Sequence, residues 1–237
     1  KLTAVDIENE EILGTAKSMT TIGTNIMDGF NLAFQALQDT LGGKEIQVVD
    51  KLACSSAAGG LKMITIGLVP ELTAEAAKRA ALGAGARVIG IYSHELTKSE
   101  IGKILDAKPE IILLSGGTDG GNKDCIIHNA KMVAANIKDV PVVVAGNKNA
   151  VDEIEEIFEE HRMYYKITEN VMPRLNVLNV EPAKEAIREV FMEKIVEAKG
   201  MKHAEKFING ILMPTPAAVL KAAQILADGT DKEDGIG

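Results

Sequence analysis

Apolar positions along the chain follow two periods, and the switches between them mark its elements. Leu2 to Ile7 and Ile12 to Thr20 read as strands joined by Glu8-Asn9-Glu10, a hairpin. Asn25 is placed to cap a helix with Asp28 in its first turn. Ile26, Phe30, Ala33, Phe34, Leu37 and Leu41 then fall on one face, and Gly42-Gly43 ends the helix. Strand-like segments Gln47–Cys54 and Lys62–Val69 follow, separated by Ser55-Ser56-Ala57-Ala58-Gly59-Gly60. Thr73 opens an Ala-rich helix that stops near Gly83.

From about residue 84 strands and helices alternate. Strand Arg87–Tyr92 leads to a helix opened by the capping box Thr97-x-x-Glu100. Strand Glu110–Leu114 leads to a helix over Lys123–Ile137, and strand Val140–Val144 to a helix over Ala150–His161. Strand Tyr164–Thr168 closes the series. Strands near-continuous in Ile, Val and Leu, separated by helices, predict a parallel sheet covered on both faces. The last third reads as helical. Pro182 is placed as the first residue of one helix, a short piece spans Met201–Ile208, and Thr215-Pro216 starts a final helix. The polar tail Asp228–Gly237 reads as a loop.

Composition narrows the class. The 237 residues are 46% hydrophobic and 25% charged, as in ordinary globular proteins. Five Phe, three Tyr and no Trp stand against 22 Gly, so Ile, Leu, Val, Met and Ala must fill the core at close range. A net charge of −8, few aromatics and no basic tract argue against a nucleic-acid partner. No apolar run has the length of a membrane span. Two distant cysteines, Cys54 and Cys125, form neither a disulfide framework nor a CxxC site, which suits a reducing, cytoplasmic compartment. The histidines His94, His128, His161 and His203 lack metal-ligand spacing, so no metal site is expected. The chain opens on Lys1 rather than Met, so a piece of something longer is expected.

Ligands of parallel α/β sheets bind at the carboxyl ends of the strands. That singles out Ser93–Glu95, Ser115–Asn122, Ala145–Asn149 and Glu169–Val171. The richest is Ser115-Gly116-Gly117-Thr118-Asp119-Gly120-Gly121-Asn122. Its glycines permit positive φ and close backbone approach, and its N–H groups suit an anion or a hydroxylated group. Asp119 suits a ribose hydroxyl, a metal or a proton. The same loop reads equally as a flexible strand-to-helix turn. Its spacing is neither GxGxxG nor the GxxxxGK[ST] phosphate loop. Ser55, Ser56, Gly59 and Gly60 form a second small-residue turn, suited to an anion or to tight packing. Ser55 and Ser56 have no His or Asp partner by motif, so no catalytic residue is assigned. Asp152, Glu153, Glu155, Glu156, Glu159 and Glu160 line one helix, which reads as a solvated face.

Five stretches in chain order resemble one family. They are Ser55–Met63, Ala80–Ala86, Ile111–Asp119, Asn179–Ala183 and Met213–Val219. The family is glutamate mutase L, the MutL or GlmL accessory proteins, unrelated to the mismatch-repair protein of similar name. The likeness runs from about Leu13 to Ala227. It implies an actin/Hsp70-like (ribonuclease-H-like) ATPase domain carrying a parallel-sheet α/β insertion. The expected division is 1–83 for the first part of the actin-like domain, 84–170 for the insertion and 171–237 for a helical return segment. The implied role is reactivation of a coenzyme-B12-dependent mutase of the glutamate mutase type. ATP and Mg would be used in the full-length protein to release damaged cobalamin and admit intact adenosylcobalamin.

The chain departs from that pattern. It contains neither Gly-, Ser- and Thr-rich phosphate turn of the class. No family catalytic residue carries over, and the isolated chain is expected not to hydrolyse ATP. The rival reading is a stand-alone α/β module for a small ligand, a nucleotide or cobalamin. No histidine sits in the DxHxxG turn by which cobalamin-binding sheets supply an axial ligand. A scaffold whose glycine loops only pack is the third reading.

Overall fold

The hairpin expected at the start forms. β1 (Leu2–Asp6) pairs antiparallel with β2 (Glu11–Ala16), with a bulge between Ala4 and Val5. Asp6 closes the turn: its carboxylate accepts the N–H groups of Glu8 and Asn9, each at 3.0 Å. These bonds hold the Asp6 carboxyl below the usual carboxylate range. α1 (Ile26–Thr40) follows and buries Met27, Ala33 and Leu37, while Phe30 stacks on Phe34. The structure, a computed structural model, describes residues 1–19, 21, 26–42, 47–55, 60–82, 84–198 and 210–236. The expected cap Asn25 and the short piece Met201–Ile208 lie outside them. β2 stops at Ala16, short of Thr20, and β3 covers only Leu52–Ser55 of the strand expected from Gln47. β3 pairs with β9 (Gly210–Pro214).

The parallel sheet has five strands: β4 (Leu61–Gly67), β5 (Ala86–Ser93), β6 (Ile111–Leu114), β7 (Val142–Val144) and β8 (Tyr165–Ile167). Their order is β5-β4-β6-β7-β8, parallel throughout. Numbered within the sheet this is 2-1-3-4-5, the doubly wound order of flavodoxins. The sheet begins earlier than the alternation from residue 84 predicts, because β4 is one of its inner strands. A strand's own pattern says that it is buried, not which strands flank it.

The connecting helices are α2 (Pro70–Ala81), α3 (Lys98–Ala107), α4 (Asp124–Asn136) and α5 (Val151–Glu160), the last entered through a 3-10 turn, Lys148–Ala150. α2 starts at Pro70 rather than Thr73. Proline fits there because its missing N–H falls where a helix has no partner to offer. The capping box of α3 forms as expected, with Thr97 and Glu100 bonded reciprocally. Those bonds to Thr97 lower the Glu100 pKa.

Alternation along the strands divides the core. Ile64, Ile66, Ile112, Leu114, Val142 and Val144 pack with α3, α4 and α5. Met63, Thr65, Ile111, Leu113 and Val143, also buried, face the other way, toward α2 and α6 (Glu181–Ala198). Each fully buried Ile, Leu or Val contributes roughly 1.5–3 kcal/mol. Lys166 of β8 bonds Glu189 at 2.7 Å and Glu193 at 3.0 Å on α6. Burial alone would lower the Lys166 pKa; the carboxylates outweigh it and raise the pKa above the ordinary lysine value. α7 (Thr215–Asp228) buries none of its residues, and the tail beyond it folds back through a Gly229–Asp234 bridge.

The chain forms two compact units. One is Lys1–Ala53 with Lys194–Leu212, and the other is Cys54–Glu193 with Met213–Gly237. No helix among the described residues is long and apolar enough to cross a membrane.

Glycine makes the aromatic-poor core close. Gly85 has φ +87°, and a Cβ there would lie 2.5 Å from the ring of Phe191 on α6. Phe191 is 1% exposed, so its ring has no room to retreat. Gly85→Ala is therefore expected to cost about 2 kcal/mol or more, read as a lower urea midpoint. An unchanged midpoint would contradict this packing.

Candidate functional site

Strand order reverses at β4. The connection to β5 leaves β4 on one side, and β6 lies on its other side. The loops after β4 and β6 therefore part, and a crevice is left at the carboxyl end of the sheet. A cavity of about 220 Å3 occupies it. Its walls are the β4–α2 link, the first turns of α2, the loop after β6 and the segment after β8. Leu68, Leu72, Val171 and Met172 make it largely apolar, and no charged side chain lines it.

The glycine loop forms the polar wall. Ser115 is buried, and both its N–H (2.8 Å) and its hydroxyl (3.2 Å) donate to the Ile66 carbonyl. Gly116 and Gly117 have φ of +135° and +73°. A Cβ on Gly117 would lie 2.0 Å from the Asn122 carbonyl oxygen, so only glycine fits. Among the described residues, the backbone N–H groups of Gly116, Gly117 and Thr118 have no hydrogen-bond partner.

Two asparagines hold the loop. Asn147, 1% exposed, donates through Nδ2 to the carbonyls of Gly121 (3.0 Å) and Asn122 (3.2 Å). Its Oδ1 accepts from the N–H groups of Gly120 (3.2 Å) and Asn149 (3.0 Å). Asn170, 5% exposed, donates to the Gly117 carbonyl and to Asp119 Oδ1, both at 2.9 Å, and accepts from Met172 N–H at 3.0 Å. Asp119 Oδ1 also accepts the Lys148 N–H at 3.1 Å. Asp119 is thus a clasp between three loops. Nothing in the sequence singles out Asn147 or Asn170 within the loops Ala145–Asn149 and Glu169–Val171. Short polar residues two or three places after a predicted strand are the available signal.

The structure therefore brings Ser115, Gly116, Gly117, Thr118 and Asp119 together in one wall. Thr118 lines the cavity; Asp119 stands behind it. The second turn does not join them. Gly60 precedes β4 at the opposite end of the sheet, where its φ of +78° seats it against the Gly85 carbonyl. Ser55 ends β3, and Ser56 and Gly59 lie outside the described residues.

A buried polar cluster supports the neighbouring loop. Asn129 accepts the Leu96 N–H at 2.8 Å and donates to the His94 carbonyl at 2.9 Å. Burial pushes the Cys125 thiol up, aided by the charge of Glu95. Among the described residues no three His, Cys, Asp or Glu side chains converge as a metal site would require.

Over residues 1–237 the chain matches the family model described as MutL protein. It is 69% identical to Protein MutL of Clostridium tetanomorphum over 237 residues, all of this chain and 51% of that protein. The chain spans about half the length of this curated relative. Among solved structures it is similar to the signal receiver domain of a modulated diguanylate cyclase from Desulfovibrio desulfuricans G20. That likeness has 13% identity and a TM-score of 0.38, covering 58% of this chain and 98% of that one. A short-chain flavodoxin associated with a non-canonical PDU bacterial microcompartment gives 12% identity and a TM-score of 0.39, covering 56% and 97%. Both scores are low, and the fold assignment rests on the strand order alone.

Asn147 makes the most contacts within the site. Asn147→Ala is expected to cost about 2–3 kcal/mol, because it leaves the Gly121 and Asn122 carbonyls without that partner. The urea midpoint measures it, and wild-type stability in the variant would contradict the clasp.

Proposed function

The chain belongs to the MutL family, and from that premise we propose that it is part of an accessory protein which reactivates a coenzyme-B12-dependent amino-acid mutase of the glutamate mutase type. The match over residues 1–237 carries this reading. The relative's name, Protein MutL, supports it. In the whole protein ATP with Mg drives the exchange, and damaged cobalamin leaves the mutase as intact coenzyme enters.

Two features are consistent with an actin-like ATPase that carries an insertion. The chain begins with an antiparallel pair, β1–β2, followed by α1. A self-contained five-stranded parallel sheet then interrupts it. On this reading the sheet is a recognition or regulatory module, and ATP chemistry belongs to phosphate turns that residues 1–237 do not contain. The crevice favours a second reading, a module that binds a small ligand in its own right. No residue of this chain is assigned a bond-making step under either.

Reactivation is tested with the full-length protein and a mutase inactivated by turnover. Recovery that requires ATP hydrolysis and free adenosylcobalamin is expected. Equal recovery without the accessory protein, or with a non-hydrolysable ATP analogue, would exclude the reactivase.

A further inference from the structure

The crevice has a chemistry that the reactivase reading does not assign. Its lining carries no charged side chain, so a charged group buried there would lie without a partner. Its volume, about 220 Å3, is below the range of sites for drug-sized ligands, roughly 300–1,000 Å3. That space suits one ring system, and the rest of a larger molecule would extend past the mouth. The occupant's body is apolar, since Leu68, Leu72, Val171 and Met172 surround it.

A plain hydrocarbon would nevertheless be a poor occupant. It would leave unused the N–H groups of Gly116, Gly117 and Thr118, three lining residues whose N–H groups lack partners among the described residues. A second polar group points the same way. Thr73 is 6% exposed, and its hydroxyl has no hydrogen bond among the described residues. No fully enclosed side-chain oxygen among those residues lacks a partner. The Thr73 hydroxyl, seated over Gly67, therefore keeps some exposure on a residue that lines the cavity. The site combines an apolar slot with donors along one wall and a hydroxyl on another. The donors are preformed, because Asn147 and Asn170 hold the loop from behind.

We propose that this cavity binds a neutral heteroaromatic ring, free or at the end of a larger molecule, whose ring nitrogens or carbonyl accept from the Gly116–Thr118 backbone. The site lies wholly within the unit formed by Cys54–Glu193 and Met213–Gly237. It does not depend on ATP use or on a mutase partner.

The test uses the 237-residue chain with three probes: adenine, adenosine and the hydrocarbon indene. Binding is followed by calorimetry and by amide NMR. Adenine or adenosine is expected to bind saturably and to shift the Gly116, Gly117 and Thr118 amides. The tighter of the two tells whether the natural ligand is a free ring or one that extends past the mouth. Indene is expected to bind at least about tenfold more weakly, because it leaves two or more donors unpaired. Leu68→Trp, at a half-buried wall position, is expected to abolish binding by filling the slot. Thr73→Val keeps the shape and is expected to weaken adenine by about fivefold, leaving indene unchanged. No saturable binding of adenine or adenosine, shifts confined to residues away from the cavity, or indene binding as well as adenine would each overturn the proposal.

Discussion

The reversal of strand order at β4 is the constraint on which the rest of this unit depends. β4 is bordered by β5 on one side and β6 on the other. Right-handed crossovers then send α2 and α3 to opposite faces of the sheet. The two loops that leave β4 and β6 cannot pack on each other, so the crevice follows from topology rather than from any one residue. What the residues decide is its lining. Apolar side chains from the β4–α2 link, α2 and the segment after β8 line most of it, and the glycine loop with its short polar side chains lines the rest.

Keeping that backbone in place needs support from behind. The glycines reach conformations closed to other residues but offer no side chain to hold them. Asn147 and Asn170, nearly fully buried, supply the missing bonds, and Asp119 ties Asn170 to the loop containing Lys148. This loop, like the Gly85–Phe191 contact, shows what the glycine-rich, aromatic-poor composition does. Where side chains are small, the backbone itself becomes the packing surface. The same logic places Thr73 against Gly67, where a Cβ would lie 2.2 Å from the Thr73 hydroxyl oxygen.

Much of this was legible in the sequence. Thr97 and Glu100 announced the start of α3 because a capping box is local chemistry. The Ile-, Val- and Leu-rich runs announced buried parallel strands, and the loop Ser115–Asn122 announced close backbone approach. Other features were not legible because they are non-local. β4 reads as one more buried strand, and its inner place in the sheet depends on β5 and β6, which come later in the chain. α2 starts at Pro70, which suits a first helical turn, where the Ala-rich pattern points to Thr73. Asn147 and Asn170 look like ordinary loop residues until the fold brings them behind a loop that lies 26 and 53 residues earlier, at Gly121 and Gly117.

The glycine wall is fixed in the unliganded chain with its donors unused. Backbone hydrogen exchange followed residue by residue tests this most directly. The amides of Gly120, Lys148 and Met172, each held by an asparagine or Asp119, are predicted to be protected. Those of Gly116, Gly117 and Thr118 are predicted to exchange much faster. Uniformly fast exchange across all six, or protection of Gly116–Thr118 in the absence of any ligand, would contradict the account.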